Sequence, residues 1–390
     1  MSLRGVAAIV GVGDTPVGKL PGWTPTELCV EAARLALADA ALDKSAIDGL
    51  VTCDSMVEPH MYHAEMIAQT MQIRPRWCMT LSAGGATNLA ALHHAAAAIA
   101  TGQCTTVLIS AADTLRTGLS PERAQAQMTS TGDPDFEAPY GLPVPGSYAL
   151  IARAHMHAFG TTEEQFARVA VTTRAHAALN PAAEKRTPIT VGDVLASRLI
   201  ADPLHLLDCS LVSDGGAAVV VGGADRARDR PNPPVYLLGA GEGRSHEHVS
   251  RAPSLVESAA RESGRRAFDM ARLGPADVDF AELYDCFTPV VLIELEDLGF
   301  CPKGEAGRFV EDGHTALGGS LPTNTHGGLL SHAHPGNPGS MFGLTEAVRQ
   351  LRRTAGRRQV PDAQIGLVHG QGGILSSHCT LILGREAPRP

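Results

Sequence analysis

The sequence predicts an α/β protein in five layers, αβαβα, built from two duplicated halves with a large insertion in the first. Three observations predict it. Short apolar runs alternate with segments of helical period, one strand–helix–strand unit occurs twice, and one long stretch fits neither copy. With 390 residues, 44% of them hydrophobic, the chain can bury two cores and has none of the polar bias of disorder.

Val6 to Val12 reads as a buried strand running into Gly11-Val-Gly13. A helix opens at Thr24 or Thr26, whose hydroxyls suit an N-cap, and carries Leu28, Ala32, Leu35 and Leu37. Ile47 to Cys53 is the next strand. The second half repeats this grammar, with Val235 to Gly239 running into Gly239-Ala-Gly241, a helix from about Ser254 to Arg272, and a strand from Val278 to Cys286. The interval from Gly11 to Asp48 nearly equals that from Gly239 to Asp279, which marks an internal duplication. Neither Gly-x-Gly is a dinucleotide fingerprint, because the third glycine is not at the needed spacing.

Each half continues with a Gly-rich turn, a helix and a strand: Gly84-Gly85 to Gly102 then Val107 to Ser110, and Gly336 to Gly356 then Ile365 to Val368. Such alternation favours mostly parallel sheets covered on both faces. The halves are assigned to residues 1–225 and 233–390, with the seam in the charged, Pro-rich stretch Ala224 to Pro234. The stretch from Leu115 to Leu206 is punctuated by Pro and Gly at first. It is then helical through Tyr148 to His157 and Thr162 to Ala178, and an insertion of this size suits a lid or ligand-binding loop domain.

A net charge of −9, with no basic cluster beyond Arg265-Arg266 and Arg352-Arg353, argues against nucleic acid or an anionic membrane as partner. The alanine-rich run Ala95 to Ala100 is too short to span a bilayer, and only Arg4 precedes the first strand, so a cytoplasmic protein is expected. Eight cysteines without a Cys-x-x-Cys pair read as small core residues. His332 with His334, or His60 with His63, lacks further ligands at usable spacing, so no metal is expected.

The segment Asn324-Thr-His-Gly-Gly-Leu-Leu-Ser-His-Ala-His334-Pro335 resembles the Asn-x-x-Gly-Gly…Gly-His-Pro segment of the thiolase superfamily. Ala333 replaces the glycine before the histidine. Tyr284-Asp-Cys-Phe287 resembles the His-Asp-Cys-Phe segment of the sterol-carrier-protein branch, with tyrosine in the place of histidine. Tyr284-Asp-Cys-Phe-Thr288 with Glu296-Asp-Leu-Gly-Phe-Cys-Pro-Lys-Gly-Glu305 is similar to thiolase-like aldolases of steroid side-chain breakdown. Those aldolases use a second tyrosine where this chain keeps His334, so the site is a hybrid. Ser213-Asp-Gly-Gly-Ala-Ala-Val219 looks like the family's return from its loop domain. The resemblance spans nearly the whole chain and implies the thiolase fold.

Ser82-Ala-Gly-Gly-Ala-Thr-Asn-Leu89 stands where thiolases carry the nucleophilic cysteine at a helix N-terminus, a place that stabilises a thiolate. Ser82 would need a base to act, and the plainer role for it is an N-cap. The resemblance implies Tyr284, His334, Cys286 and Ser82 as candidate catalytic residues. It implies Asn324, His326, His369, Gly372 and Gly373 as substrate-binding, the last three in the Gly-rich turn His369-Gly-Gln-Gly-Gly373, whose backbone suits an oxyanion.

The leading expectation is retro-aldol cleavage of a β-hydroxy acyl-CoA without a cysteine acyl-enzyme. In it Tyr284 takes the β-hydroxyl proton, its pKa lowered from about 10 by a neighbour, and backbone donors and His334 hold the thioester enolate. One alternative is an acyltransferase using Ser82 or Cys286 with His334; the other is a non-catalytic acyl-CoA or sterol-binding scaffold. The resemblance further implies acyl-CoA as substrate with no bound cofactor, a homodimer, and a small OB-fold, zinc-ribbon partner that binds acyl-CoA.

Overall fold

The computed structural model describes residues 2–228 and 230–388, so Asp229 of the seam lies outside the described residues. The first half holds strands β1 (Ala7–Asp14), β2 (Gly49–Cys53), β3 (Trp77–Leu81) and β4 (Thr106–Thr114), with helices α1 (Pro25–Asp39), α2 (His63–Met71) and α3 (Thr87–Ala100) between them. The insertion follows as α4 (Leu115–Gly118), α5 (Pro121–Thr129), α6 (Val144–Phe159), α7 (Glu163–Leu179), α8 (Val191–Ala196) and the small hairpin β5 (Leu199–Ala201) and β6 (Leu204–His205). Strand β7 (Asp214–Gly223) returns to the sheet and α9 (Ala224–Ala227) leads out of it. The second half holds β8 (Val235–Arg244), α10 (Ala260–Ala271), β9 (Phe280–Glu282), α11 (Thr288–Asp297), α12 (Ala306–Glu311), α13 (Ser340–Arg352), β10 (Ile365–Gly372) and β11 (Ser377–Gly384).

The duplication is visible in the strand order, β3-β2-β4-β7-β1-β8-β11-β10-β9. Read outward from the seam, β1-β7-β4-β2-β3 matches β8-β11-β10-β9, and a lone bridge between Ala281 and Thr323 stands in for the missing fifth strand. The halves join edge to edge through the pairs Ala8–Tyr236 and Ile9–Val235, with the Gly5 N–H donating to the Leu237 carbonyl at 2.8 Å. The expectation of mostly parallel sheets is corrected: β2 pairs in parallel with β3 and β4, and β9 with β10, but β7 and β11 run antiparallel to both neighbours. The physical reason is connection length. β10 and β11 are joined by a tight turn, which permits only the antiparallel sense, and β7 enters from the far end of the insertion.

Strands buried on both faces read as unbroken apolar runs. In β1, Ala8 and Val10 face a core with α1 (Leu28, Ala32, Ala36), while Ala7 and Ile9 face a second core. That second core is filled by α3 (Leu89, Leu92, Ala95) and α13 (Phe342, Leu344, Val348), which form the middle of the five layers. The paired glycines explain how closely the outer helices lie. A β-carbon at Gly11 would sit 2.3 Å from the Ala36 carbonyl oxygen, and one at Gly239 would sit 2.1 Å from that of Ala267. The glycines are therefore packing positions, and the equivalence of the two contacts is a relic of duplication.

Local chemistry sets the boundaries. Thr24 caps α1 in a capping box with Glu27, and Thr162 caps α7 with Gln165. The helix expected from Ser254 starts only at Ala260, because the Ser254 hydroxyl accepts the N–H groups of Val256 and Glu257 in a local turn. The strand expected to reach Cys286 stops at Glu282. There the Asn324 side chain takes the Leu283 N–H at 2.7 Å and Glu294 takes that of Tyr284 at 3.1 Å. Diverting those two donors ends the ladder and frees Tyr284 to Phe287 to face the insertion.

Candidate active site

Three stretches meet beneath the insertion. Residues 209–213 run between the Tyr284–Phe287 segment and the segment leading to His334. Ser210 N–H donates to the Cys286 carbonyl at 2.9 Å, Leu211 N–H to that of Leu329 at 3.0 Å, and Ser213 N–H to that of His334 at 3.1 Å. This backbone zipper fixes the spacing of the two motif segments. Asp285 tightens it further by accepting the Leu329 N–H at 2.6 Å. A β-carbon at Gly328, whose φ is +57°, would lie 1.9 Å from that carboxylate, which is why a glycine stands there.

The segments frame a cavity of about 420 Å³. Its floor is polar, with Tyr284, His334, Ser210, Cys286 and Gln371, and its walls are apolar, drawn largely from the insertion with Leu115, Met128, Val144, Ile200 and Leu206. Among the described residues, no Lys, Arg, Asp or Glu lines it. The Tyr284 hydroxyl is 3.1 Å from His334 Nε2, with the rings edge to face, and the Ser210 hydroxyl is 2.8 Å from His334 Nδ1. The Tyr284 ring lies on the backbone of Gly85, where a β-carbon would be 2.1 Å from Cζ.

Electrostatics decide which of these groups carry charge. Burial pushes His334 down to about 4, so the imidazole is neutral and can accept a proton. Burial pushes Tyr284 well above the usual phenol range, and Cys286, Asp285 and Glu294 nearby add to the effect. The expected lowering of Tyr284 is thus reversed. Its phenol is protonated, and the base in contact with it is His334. Burial also raises the Cys286 thiol, whose sulfur accepts from Gln371 Nε2 at 3.1 Å.

The remaining candidates divide. Gly372 and Gly373 line the cavity beside Gly84 and Gly85. Ser82 does not; it is exposed, its hydroxyl lies 3.5 Å from Asp54, and it caps no helix, because the turn before α3 is closed by Thr87 Oγ1 accepting the Ala83 N–H. Asn324, His326 and His369, expected to bind substrate, are buried side chains outside the cavity lining. Asn324 holds Leu283 as described, in a left-handed conformation with φ +55°. His326 Nδ1 pairs with Glu282 at 2.8 Å, and His369 is enclosed between Thr380 at 2.8 Å and His378 at 3.0 Å. Their side chains turn inward because the polar partners lie behind the floor.

Three floor residues carried no usable signal in the sequence. Ser210 meets His334 across 124 positions, Gln371 sits inside the Gly-rich turn, and Tyr148 arrives from the insertion. Gln371 Nε2 donates to the Tyr148 hydroxyl at 2.7 Å, and that hydroxyl donates to the Gly373 carbonyl at 2.9 Å, while the Tyr148 ring stacks on Phe287. The insertion is thereby tied to the turn.

Residues 241–385 match the family model described as thiolase C-terminal domain-like. The chain is 39% identical to the steroid side-chain-cleaving aldolase of Thermomonospora curvata over 98% of this chain and 99% of that one. It is 41% identical to the 17-hydroxy-3-oxo-4-pregnene-20-carboxyl-CoA lyase of Mycobacterium tuberculosis over 90% and 93%. It is 35% identical to an acetyl-CoA acetyltransferase of Methanothermobacter thermautotrophicus over 94% and 96%. Among solved structures, the Ltp2-ChsH2(DUF35) aldolase superposes with a TM-score of 0.87 at 38% identity, covering 98% of each chain.

Proposed function

Because the chain belongs to the thiolase superfamily, in the sterol-carrier-protein branch near the steroid side-chain aldolases, we propose that it cleaves a β-hydroxy acyl-CoA by a retro-aldol reaction. The observation that carries this reading is the contact of a protonated phenol with a neutral imidazole on the floor of an uncharged cavity.

The β-hydroxyl of the substrate gives its proton to Tyr284 Oη as the phenol proton passes to His334 Nε2. The Cα–Cβ bond breaks, its electrons enter the thioester as an enolate, and Cβ becomes a ketone or aldehyde. The enolate then takes a proton at Cα, returned from His334 by way of Tyr284. Backbone donors at the Gly84-Gly85 and Gly372-Gly373 turns are suited to the enolate oxygen. No sulfur attack is needed: the Cys286 thiol is held protonated and Ser82 stands outside the cavity. The apolar walls favour a bulky ring system at the β-carbon, as in the substrate named for the mycobacterial relative.

For assembly, we propose a cytoplasmic homodimer that pairs through the edge strand β3, whose Trp77, Met79 and Leu81 are only half covered. We also propose a small acyl-CoA-binding partner, since among the described residues no cation lines the cavity to meet the phosphates of CoA. The partner named with the aldolase structure supports this.

The test is to incubate the protein with a steroid β-hydroxy acyl-CoA, alone and with such a partner, and to follow ketone release and protein mass. Ketone release with no covalent acyl adduct is expected. An acyl adduct on Cys286 or Ser82 without ketone would replace cleavage by acyl transfer.

A further inference from the structure

We infer that Ser210 is a positioning residue that sets the tautomer of His334, holding the proton on Nδ1 so that Nε2 is the open base facing Tyr284. The inference rests on the proposed cleavage reaction for its role, but the tautomer itself is a property of the resting protein.

A neutral imidazole has one donor and one acceptor nitrogen, and the bond made by one nitrogen fixes the duty of the other. His334 has two hydroxyl neighbours, Ser210 on Nδ1 at 2.8 Å and Tyr284 on Nε2 at 3.1 Å. Either hydroxyl can donate or accept, so in isolation the ring could stand in two ways. In one, Nδ1–H donates to Ser210 and Tyr284 donates to Nε2. In the other, Ser210 donates to Nδ1 and Nε2–H blocks Tyr284. Only the first can take a proton from the substrate through the phenol.

Ser210 is held beside the imidazole by its own N–H on the Cys286 carbonyl, and the residues after it are tied to Leu329 and His334. Of the two hydroxyls the phenol, with an ordinary pKa of about 10, is the stronger donor, which favours the first arrangement. When Nε2 gains the proton, both ring nitrogens become donors, and the Ser210 oxygen must then accept from Nδ1–H. The contact that orients the resting base also stabilises its protonated form.

The experiment uses Ser210→Ala, Ser210→Thr and the wild type, each at full length. ¹⁵N-histidine NMR reads the tautomer, with His334 signals assigned by their loss in His334→Asn. In the wild type and Ser210→Thr, Nδ1 is expected to be protonated and Nε2 bare; in Ser210→Ala the two tautomers mix. With a cleavable substrate, kcat of Ser210→Ala is expected to fall about tenfold or more, within the range that acid–base groups supply, at unchanged KM and with recovery in Ser210→Thr. An unchanged tautomer in Ser210→Ala overturns the inference, as does a loss confined to KM. A shifted tautomer in a protein that cleaves no β-hydroxy acyl-CoA upholds the positioning and overturns the proposed reaction, so the two failures are separable.

Discussion

His326 and His334 come from one motif segment, and both are largely enclosed, yet they do opposite things. His326 Nδ1 meets the Glu282 carboxylate at 2.8 Å, and that carboxylate also accepts from the Thr325 N–H and hydroxyl. Burial works against a charge on His326, but Glu282, with Glu346 and Asp285 nearby, outweighs it and raises the imidazole above its ordinary value. Among the described residues the His334 ring hydrogen-bonds to two hydroxyls and no carboxylate, so burial acts unopposed and holds it at about 4. The same side chain holds its proton more tightly where it faces a carboxylate and less tightly where it faces only a phenol and a serine hydroxyl.

The largest effects should come from the base and its phenol. Tyr284→Phe and His334→Asn are each expected to lower kcat by about 10²–10⁴ with substrate binding retained. The double variant should be little worse than either, because the two groups act as one relay. Independent, multiplying losses in steady-state kinetics would break the relay. Next, Gly85→Ala should push the Tyr284 ring from His334, given a contact of 2.1 Å, and reduce kcat while the far-ultraviolet circular dichroism stays unchanged.

The His326–Glu282 pair predicts a different loss. His326→Leu leaves the buried Glu282 carboxyl without its imidazole partner, so urea unfolding should show a cost of about 3–5 kcal/mol, with kcat per folded molecule nearly kept. The raised pKa makes this stabilisation fully present below the ordinary histidine value of 6.5, and it is lost as pH rises through the folded value. The stability gap between wild type and variant should therefore narrow at alkaline pH.

His334 has the opposite sign. Its contribution is present above 6.5 and lost as pH falls toward about 4, because the unfolded chain takes up a proton that the folded one refuses. An NMR titration should find His334 still neutral at pH 5.5; a midpoint near 6.5 would erase the contrast between the two imidazoles. The smallest effect belongs to Ser82→Ala, expected to leave kcat within about twofold, as surface changes away from a site usually do. A large loss there would revive a serine nucleophile.

The element order was legible because strands buried on both faces and helices of regular period leave local traces, as in β1 and α1. Tyr284 and His334 were legible because each sits in a motif of close spacing. Asn324, His326 and His369 were legible as special residues, but their direction was not. Whether a strand-end side chain points to the cavity or behind it depends on which backbone donors are diverted, and that depends on Asn324 and Glu294 arriving from elsewhere. Ser210 left no trace at all, since a serine in an irregular segment has many ordinary roles.

By itself the amino-acid sequence determined the two matching halves, the insertion and the residue types available for proton transfer, because period, glycine spacing and side-chain chemistry are local properties. Only the tertiary structure decided which imidazole would hold its proton more tightly, which tyrosine would meet an imidazole and which serine would lie against it. Those outcomes depend on burial and on neighbours brought from distant positions, such as Glu282 to His326 and Ser210 to His334. A pKa belongs to a place in the fold before it belongs to a residue.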